Sequence, residues 1–227
     1  MSADEDAHTR MLKGYRTIAH GGEYEIEIKR SRFIGALARV TSEEEARAFI
    51  GAKKKENWEA NHNCSAYIVG DRGQFQRSSD DGEPSGTAGV PMLSVLQRNG
   101  LTDVVAVVTR YFGGTLLGAG GLIRAYGQSV SETLAIVGIV EAQPRLIVAI
   151  EATYDDAGRL ENALRATDFL LQDVEYGATV VFTLQTRAEE LPALQAWVAE
   201  ATNGSCEVIE VGEEYVEVPI DPKEETP

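Results

Sequence analysis

VVAVVTRYFGGTLLGAGGLIRAY, Val104–Tyr126, runs from an apolar stretch through five glycines into a segment with helical spacing. The apolar stretch has the composition of a strand buried on both faces. Beyond the glycines, Ile123, Tyr126, Val130, Leu134 and Val137 recur at three- and four-residue steps, which predicts a helix from about Leu117 to Val137 with these residues inward. A buried strand that feeds a helix requires a layered domain of mixed type.

Upstream, EYEIEIKR alternates and predicts a strand with Tyr24, Ile26 and Ile28 on one face, and SRFIGALARV predicts a second. Ser42 with Glu45 fits a capping box, so a helix should start there, carry Ala46, Phe49 and Ile50 inward and end near Asn57. NCSAYIVG and GQFQRSS read as strands, and VPMLSVLQRNG as a short helix closed by Gly100. Near Glu141–Pro144 the pattern restarts. RLIVAIEATY, FLLQDVEYG, TVVFTLQT and CEVIEVGEEYVEVP read as strands; DDAGRLENALRAT and AEELPALQAWVAEATNG read as helices. Their order, β-α-β-β-α-β, is that of a ferredoxin-like unit. The expected fold class is α+β, with a polar lead over 1–19, an N-terminal domain over 20–140, a ferredoxin-like domain over 143–219 and an acidic tail over 220–227.

The charge is divided unevenly. Residues 1–142 hold sixteen Lys and Arg against eighteen Asp and Glu; residues 143–227 hold five against eighteen, so −13 of the chain's −15 lies there. Nucleic-acid affinity comes largely from cations that neutralise phosphates, so the second half is a poor candidate for direct nucleic-acid binding. No apolar run reaches the roughly 18 residues of a membrane span. The start, MSADEDAHTR, lacks the basic-then-apolar layout of a signal peptide, and two distant cysteines, Cys64 and Cys206, suit a reducing compartment. A cytoplasmic protein with no membrane partner is expected.

Two loops could carry chemistry. RSSDDGEPSGTAGVP, Arg77–Pro91, offers Asp80, Asp81 and Glu83 as metal or proton ligands, and SGTAG offers open backbone N–H groups at a helix start to an anion or partner. It equally fits a plain turn with carboxylates favoured by the helix dipole. The second loop supplies Gly113, Gly114, Gly118, Gly120 and Gly121. It matches neither G-x-G-x-x-G, since Ile123 stands where the last glycine belongs, nor a phosphate loop ending in Gly-Lys-Ser/Thr. Arg110 and Arg124 flank it and want either an external anion or Asp80, Asp81 or Glu83. His62 and Cys64 share one strand face and could form a nucleophile with its base, yet too few histidines follow a ligand spacing to imply a metal site.

Four strings, IKRSRFIG (Ile28–Gly35), NHNCSAYIVG (Asn61–Gly70), SSDDGEPSGTAGVPML (Ser78–Leu93) and VVTRYFGGTLLGAGGLIRAY (Val107–Tyr126), resemble the IMPACT/YigZ family. The resemblance implies an N-terminal domain with the fold of the second domain of ribosomal protein S5. It also implies a second domain like the last domain of elongation factor G. Eukaryotic members of the family act in translational control, through a scaffold protein that activates a stress kinase, and nucleic-acid binding is the usual suggestion for bacterial members. No catalytic residue and no cofactor is implied. The expected function is therefore a non-enzymatic binding protein linked to translation or its regulation. Its contact face would be Arg32, Arg77, Arg110, Arg124 and the two glycine loops, and its partner RNA or a translation-associated protein. The alternative is an enzyme acting on a phosphorylated small molecule or nucleotide, with Mg²⁺ held at the same loops.

Overall fold

The apolar run is the central strand of a five-stranded sheet. A computed structural model of the chain describes residues 13–70 and 72–220. They fall into two units, one built on Tyr15–Ala142 with residues 217–220, the other on Gln143–Val216. Among the described residues no helix is long and apolar enough to cross a membrane.

The first unit contains β1 (Tyr15–Ile18), β2 (Gly22–Ile28), β3 (Ser31–Arg39), α1 (Glu43–Glu56), β4 (His62–Val69), β5 (Phe75–Ser79), α2 (Gly89–Arg98), β6 (Val104–Tyr111) and α3 (Ala119–Val137). The sheet order is β2-β3-β6-β4-β5, with every neighbouring pair antiparallel. Alternation along β6 sends Val104, Ala106 and Val108 into a core with Phe33, Met92 and Tyr126, and Val105 into a smaller cluster with Ala46 and Tyr67. Helices therefore cover both faces, which is why the strand is apolar throughout.

α1 starts as its sequence requires. The Ser42 hydroxyl accepts the Glu45 N–H at 3.2 Å, while the Glu45 carboxylate returns to the Thr41 N–H at 2.7 Å, one residue earlier than a standard box. The inward face of α3 differs from the expected one by a small rotation. Leu122, Ala125, Tyr126, Val130, Leu134 and Val137 are buried, but Ile123 is 44% exposed. The phase is set by Ser129 and Thr133, both fully buried, over which β3 passes at Gly35. A Cβ on Gly35 would lie 2.2 Å from the Thr133 Oγ1 and 3.0 Å from the Ser129 carbonyl. Periodicity that counts only apolar residues misses two polar ones at the tightest contact.

One expected boundary changes. Within the lead read as polar, Tyr15–Ile18 form β1, and Ile18 is fully buried. The restart near Glu141–Pro144 coincides with the division between the units at Ala142 and Gln143, and one strand, β7 (Ile139–Ala152), spans it. Its early residues pair with β1, from Ile139 to Ala142, and its later ones with β9 (Val180–Thr186), from Leu146 to Ala152. Pro144 falls between these two ladders, where a missing N–H interrupts neither. The remainder of the lead, residues 1–12, and residues 221–227 of the expected tail lie outside the described residues.

The second unit continues from β7 with α4 (Tyr154–Arg165), β8 (Leu170–Tyr176), β9, α5 (Leu191–Ala201) and β10 (Val208–Ile220) as far as Val216. Its strand order, β10-β7-β9-β8, is the fourth, first, third and second in sequence, the ferredoxin-like arrangement. Ala157, Leu160 and Leu164 of α4 and Leu194 and Val198 of α5 close its core against Phe182.

The Gly35 contact gives a direct test of the α3 packing. Gly35→Ala should cost about 1–3 kcal/mol in urea unfolding, as overpacking does. Thr133→Ala in the same chain should recover part of that loss; a purely additive double variant would show that the clash lies elsewhere.

Candidate functional site

The turn after β5 places its three carboxylates on three different partners. Asp80 Oδ2 accepts the Gly86 N–H at 2.8 Å, and Oδ1 accepts those of Ala88 at 3.0 Å and Gly89 at 2.8 Å. The amides that the sequence offers to an external anion are thus occupied by the chain's own carboxylate at the start of α2. Burial pushes the Asp80 carboxyl up, but these three backbone donors outweigh it and hold the group below the usual range.

Asp81 adopts φ +45°, and this left-handed turn sends its side chain away from that of Asp80. Its oxygens accept from the Lys54 Nζ and the Asn63 N–H, each at 2.6 Å. Burial raises this carboxyl too; Lys54, then the Asn63 amide, bring it below its ordinary value. Lys54, on α1, therefore anchors the loop.

Glu83 is buried. Its Oε1 accepts from the Arg110 guanidinium at 2.6 Å and the Tyr126 hydroxyl at 2.8 Å, and His62 Nε2 lies 3.9 Å from Oε2. Arg110, also buried, points a second nitrogen at the Ser31 hydroxyl at 3.4 Å and sits 5.3 Å and 5.5 Å from the rings of Phe33 and Phe112. Its Nε is buried without an acceptor. Of the two fates open to Arg110, the internal carboxylate is realised, and the carboxylate is Glu83.

The His62–Cys64 pair is not assembled for nucleophilic chemistry. His62 Nδ1 lies 2.9 Å from the Asp81 carbonyl, which can only accept, so that nitrogen carries the proton. The Cys64 thiol is fully buried and donates to the Asp80 carbonyl at 3.0 Å. Burial pushes it up to about 12, with Glu83, Asp81 and Asp80 adding to the rise and a Tyr126 hydrogen bond opposing it. Burial likewise pushes the Tyr126 hydroxyl up, followed by Cys64 and Glu83. At neutral pH both groups are protonated.

The glycine loop closes over this network. Gly113 lies against the backbone of Arg30, where a Cβ would come within 2.0 Å of the carbonyl oxygen. Gly114 and Gly118 have φ +83° and +72°. Gly118 is the N-cap of α3, which has no side-chain cap and no acidic residue in its first turn; Gly120 and Gly121 lie in that turn. Between this helix start and the 82–84 turn lies a cleft of about 440 Å³. Glu83, Arg110 and His62 face it from the sheet side, Phe112 and Leu117 are among its walls, and Leu116, 83% exposed, stands at its rim.

The remaining arginines lie elsewhere. Arg32, on β3, makes a two-bond fork with Glu25 at 2.8 and 2.7 Å and covers the Tyr111 ring. Arg77 is exposed on the edge strand β5. Arg124 is exposed on α3 and lines a separate groove with α2. The structure thus gathers His62, Glu83, Arg110 and Gly118 and does not bring Arg32, Arg77 or Arg124 to them. Among the described residues no group of three or more His, Cys, Asp and Glu is arranged to hold a metal. The sequence reading missed Tyr126, whose spacing marks it as core but whose hydroxyl completes the Glu83 network. It also missed Ser31, Phe112 and Leu116, which no short motif marks.

Comparison with known proteins adds independent observations. Residues 29–134 match the Impact N-terminal domain, and residues 150–205 match a domain of unknown function, DUF1949. The chain is 49% identical over 216 residues to the IMPACT family member YvyE of Bacillus subtilis, covering 95% of this chain and 100% of that relative. It is 36% identical to the IMPACT family member YigZ of Escherichia coli, over 82% of this chain and 93% of the relative. A crystal structure of a hypothetical protein superposes with a TM-score of 0.56 at 33% identity, covering 89% of this chain and 99% of that one.

Two outcomes follow from the geometry. Glu83→Gln abandons a buried guanidinium and should cost about 3–5 kcal/mol, whereas adding Arg110→Met should return much of it; equal losses in the single and double variants would contradict a coupled pair. Asp80 is more acidic folded than unfolded, so its contribution is present above its ordinary value of 3.8 and lost as pH falls below it. Asp80→Asn should therefore lower stability at pH 7 by about 1–2 kcal/mol, as losing a helix cap does. It should also flatten the acid limb of the stability profile, read by thermal unfolding across pH.

Proposed function

The chain belongs to the IMPACT family, and on that premise we propose that it is a translation-linked binding protein whose partner, a translation-associated protein, seats in the cleft at the start of α3. The observation that carries this reading is the cleft itself, with a buried ion pair at its floor and exposed Phe112 and Leu116 at its edge. Pre-formed walls with an apolar rim suit a protein segment, because apolar anchors supply the affinity and the fixed polar groups supply orientation.

RNA is the less favoured partner for this surface. Phosphate binding needs several free cations on one face. Arg110 is neutralised by Glu83, and Arg32, Arg77 and Arg124 occupy other positions. The strongly acidic second unit adds repulsion. Catalysis is disfavoured because Asp80, Asp81 and Glu83, the carboxylates read as Mg²⁺ ligands, each have protein donors.

One observation favours a small anionic ligand as a second reading. The α3 N-terminus opens on the cleft without a cap, and the same cleft is lined by Arg110. A nucleotide or phosphorylated metabolite would meet the open helix start.

The immobilised full chain should be screened against purified ribosomal subunits, translation factors and RNA oligomers. A protein should bind, and Leu116→Glu should weaken it by about tenfold or more, the scale of a lost apolar anchor. Binding to RNA oligomers alone, or binding that Leu116→Glu does not alter, overturns the reading. A thermal-shift panel of phosphorylated compounds separates the second reading, since a ligand at about 100 times its Kd stabilises by about 2.7 kcal/mol.

A further inference from the structure

A larger concavity lies outside the cleft. It is a groove of about 720 Å³ between α2 and α3, lined among others by Val90, Arg98, Ile123, Arg124, Gly127 and Ser131. Arg98 and Ser131 also line a second hollow of about 430 Å³, to which Arg16, Leu134 and Gly138 contribute. Through these shared residues the two form one trench along α3. From Ile123 to Gly138 it spans about 22 Å at the helical rise of about 1.5 Å per residue.

Three properties of the trench stand out against the rest of the chain. The first is charge: with 36 Asp and Glu in the sequence, its described lining holds Arg16, Arg98 and Arg124 and no carboxylate. Arg124 has no hydrogen-bond or ion-pair partner among the described residues, and Arg98 bonds only the Ser94 carbonyl of its own helix, at 3.3 Å. Glu132, nearby on α3, does not line the trench and is approached by the Gln128 amide at 3.4 Å. The second is apolar exposure, since Val90 and Ile123 stand open at 53% and 44%.

The third is Gly127. A glycine weakens the middle of a helix, and this one has no packing reason inside the domain, because an added Cβ would meet only Val95, at an ordinary 3.8 Å. With Ser131 one turn on, it lets another backbone approach α3 from outside.

We infer that the α2–α3 trench is a docking surface for an acidic amphipathic helix of a partner protein. The apolar seam of that helix lies on Val90 and Ile123, its backbone approaches Gly127 and Ser131, and its carboxylates meet Arg98 and Arg124. The trench accommodates about fifteen helical residues. RNA fits it less well, because no aromatic side chain lines it for base stacking. This surface is separate from the cleft and does not depend on its occupant.

The test uses a helix-stapled peptide of about fifteen residues. It carries leucine at three- and four-residue steps and glutamate elsewhere, and fluorescence anisotropy against the full chain reads its binding. The peptide should bind, and Arg98→Glu with Arg124→Glu should weaken it by at least about tenfold. Gly127→Leu should do the same by filling the trench, while Leu116→Glu, at the cleft, should change nothing. A matched peptide with lysine for glutamate should not bind. Thermal melts check that the variants fold; the exposed arginine reversals decide the matter if Gly127→Leu does not. The inference fails if the acidic peptide does not bind, if charge reversal is without effect, or if only an RNA oligomer responds to the reversals. It fails equally if a chain ending at Ile220 binds the peptide at least about tenfold more tightly, which would assign the trench to residues 221–227.

Discussion

The ion pair between Glu83 and Arg110 is the constraint around which the first unit is organised. Both side chains are almost wholly withdrawn from water, at 3% and 6% exposure, and each such charge costs several kcal/mol to desolvate. That cost is offset by a 2.6 Å bond, by the Tyr126 hydroxyl and by the rings on either side of the guanidinium. A well-packed apolar set could match the stability, so what the charges add is position. Glu83 comes from the turn after β5, Arg110 from the end of β6 and Tyr126 from α3. Only one placement of the turn and the helix satisfies all three groups, and that placement makes the cleft.

The same turn treats two helix starts in opposite ways. At α2 the backbone N–H groups are occupied by Asp80, so the positive end of that helix is neutralised from within. At α3 the N-cap is Gly118 and the first turn is Ala-Gly-Gly, which supplies no side chain able to reach back. Glu83, the nearest carboxylate of the network, is committed to Arg110 and Tyr126. The open helix start is therefore built in by residue choice.

Much of the architecture is legible in the sequence because burial imposes periods. Val104–Val108 announce a two-sided strand; Ser42 and Glu45 announce a helix start; Ala157, Leu160 and Leu164 announce one face of another. What escapes notice has physical reasons. Ile123 satisfies the apolar spacing, but Ser129 and Thr133 set the phase because Gly35 needs small neighbours. That one strand continues past Pro144 also escapes notice, because extended backbone tolerates proline wherever no ladder bond is due. In the site, pairing Arg110 with a loop carboxylate is readable as one option among several. Which carboxylate it takes is not, because Asp80 and Asp81 differ only through a left-handed φ that no local pattern discloses. Cys64 and His62 share a face as alternation requires, yet burial and the Asp81 carbonyl remove the chemistry their proximity implies.

Net charge constrains how such a chain can recognise anything. At −15 it repels acidic partners at a distance, but screening limits that repulsion to about 8 Å at physiological ionic strength. Discrimination must then come from contacts inside that range, where apolar area and a few well-placed charges decide. The cleft and the trench of the first unit share this construction, with exposed apolar side chains around arginine. They differ in how the arginine is held. Arg110 is locked by Glu83 and has little charge left to offer, so the cleft selects mainly by shape. Arg98 and Arg124 retain their charge, so the trench selects by sign as well. A chain with so many carboxylates could have paired them at little cost, and their isolation is the stronger sign of a surface kept open for contact.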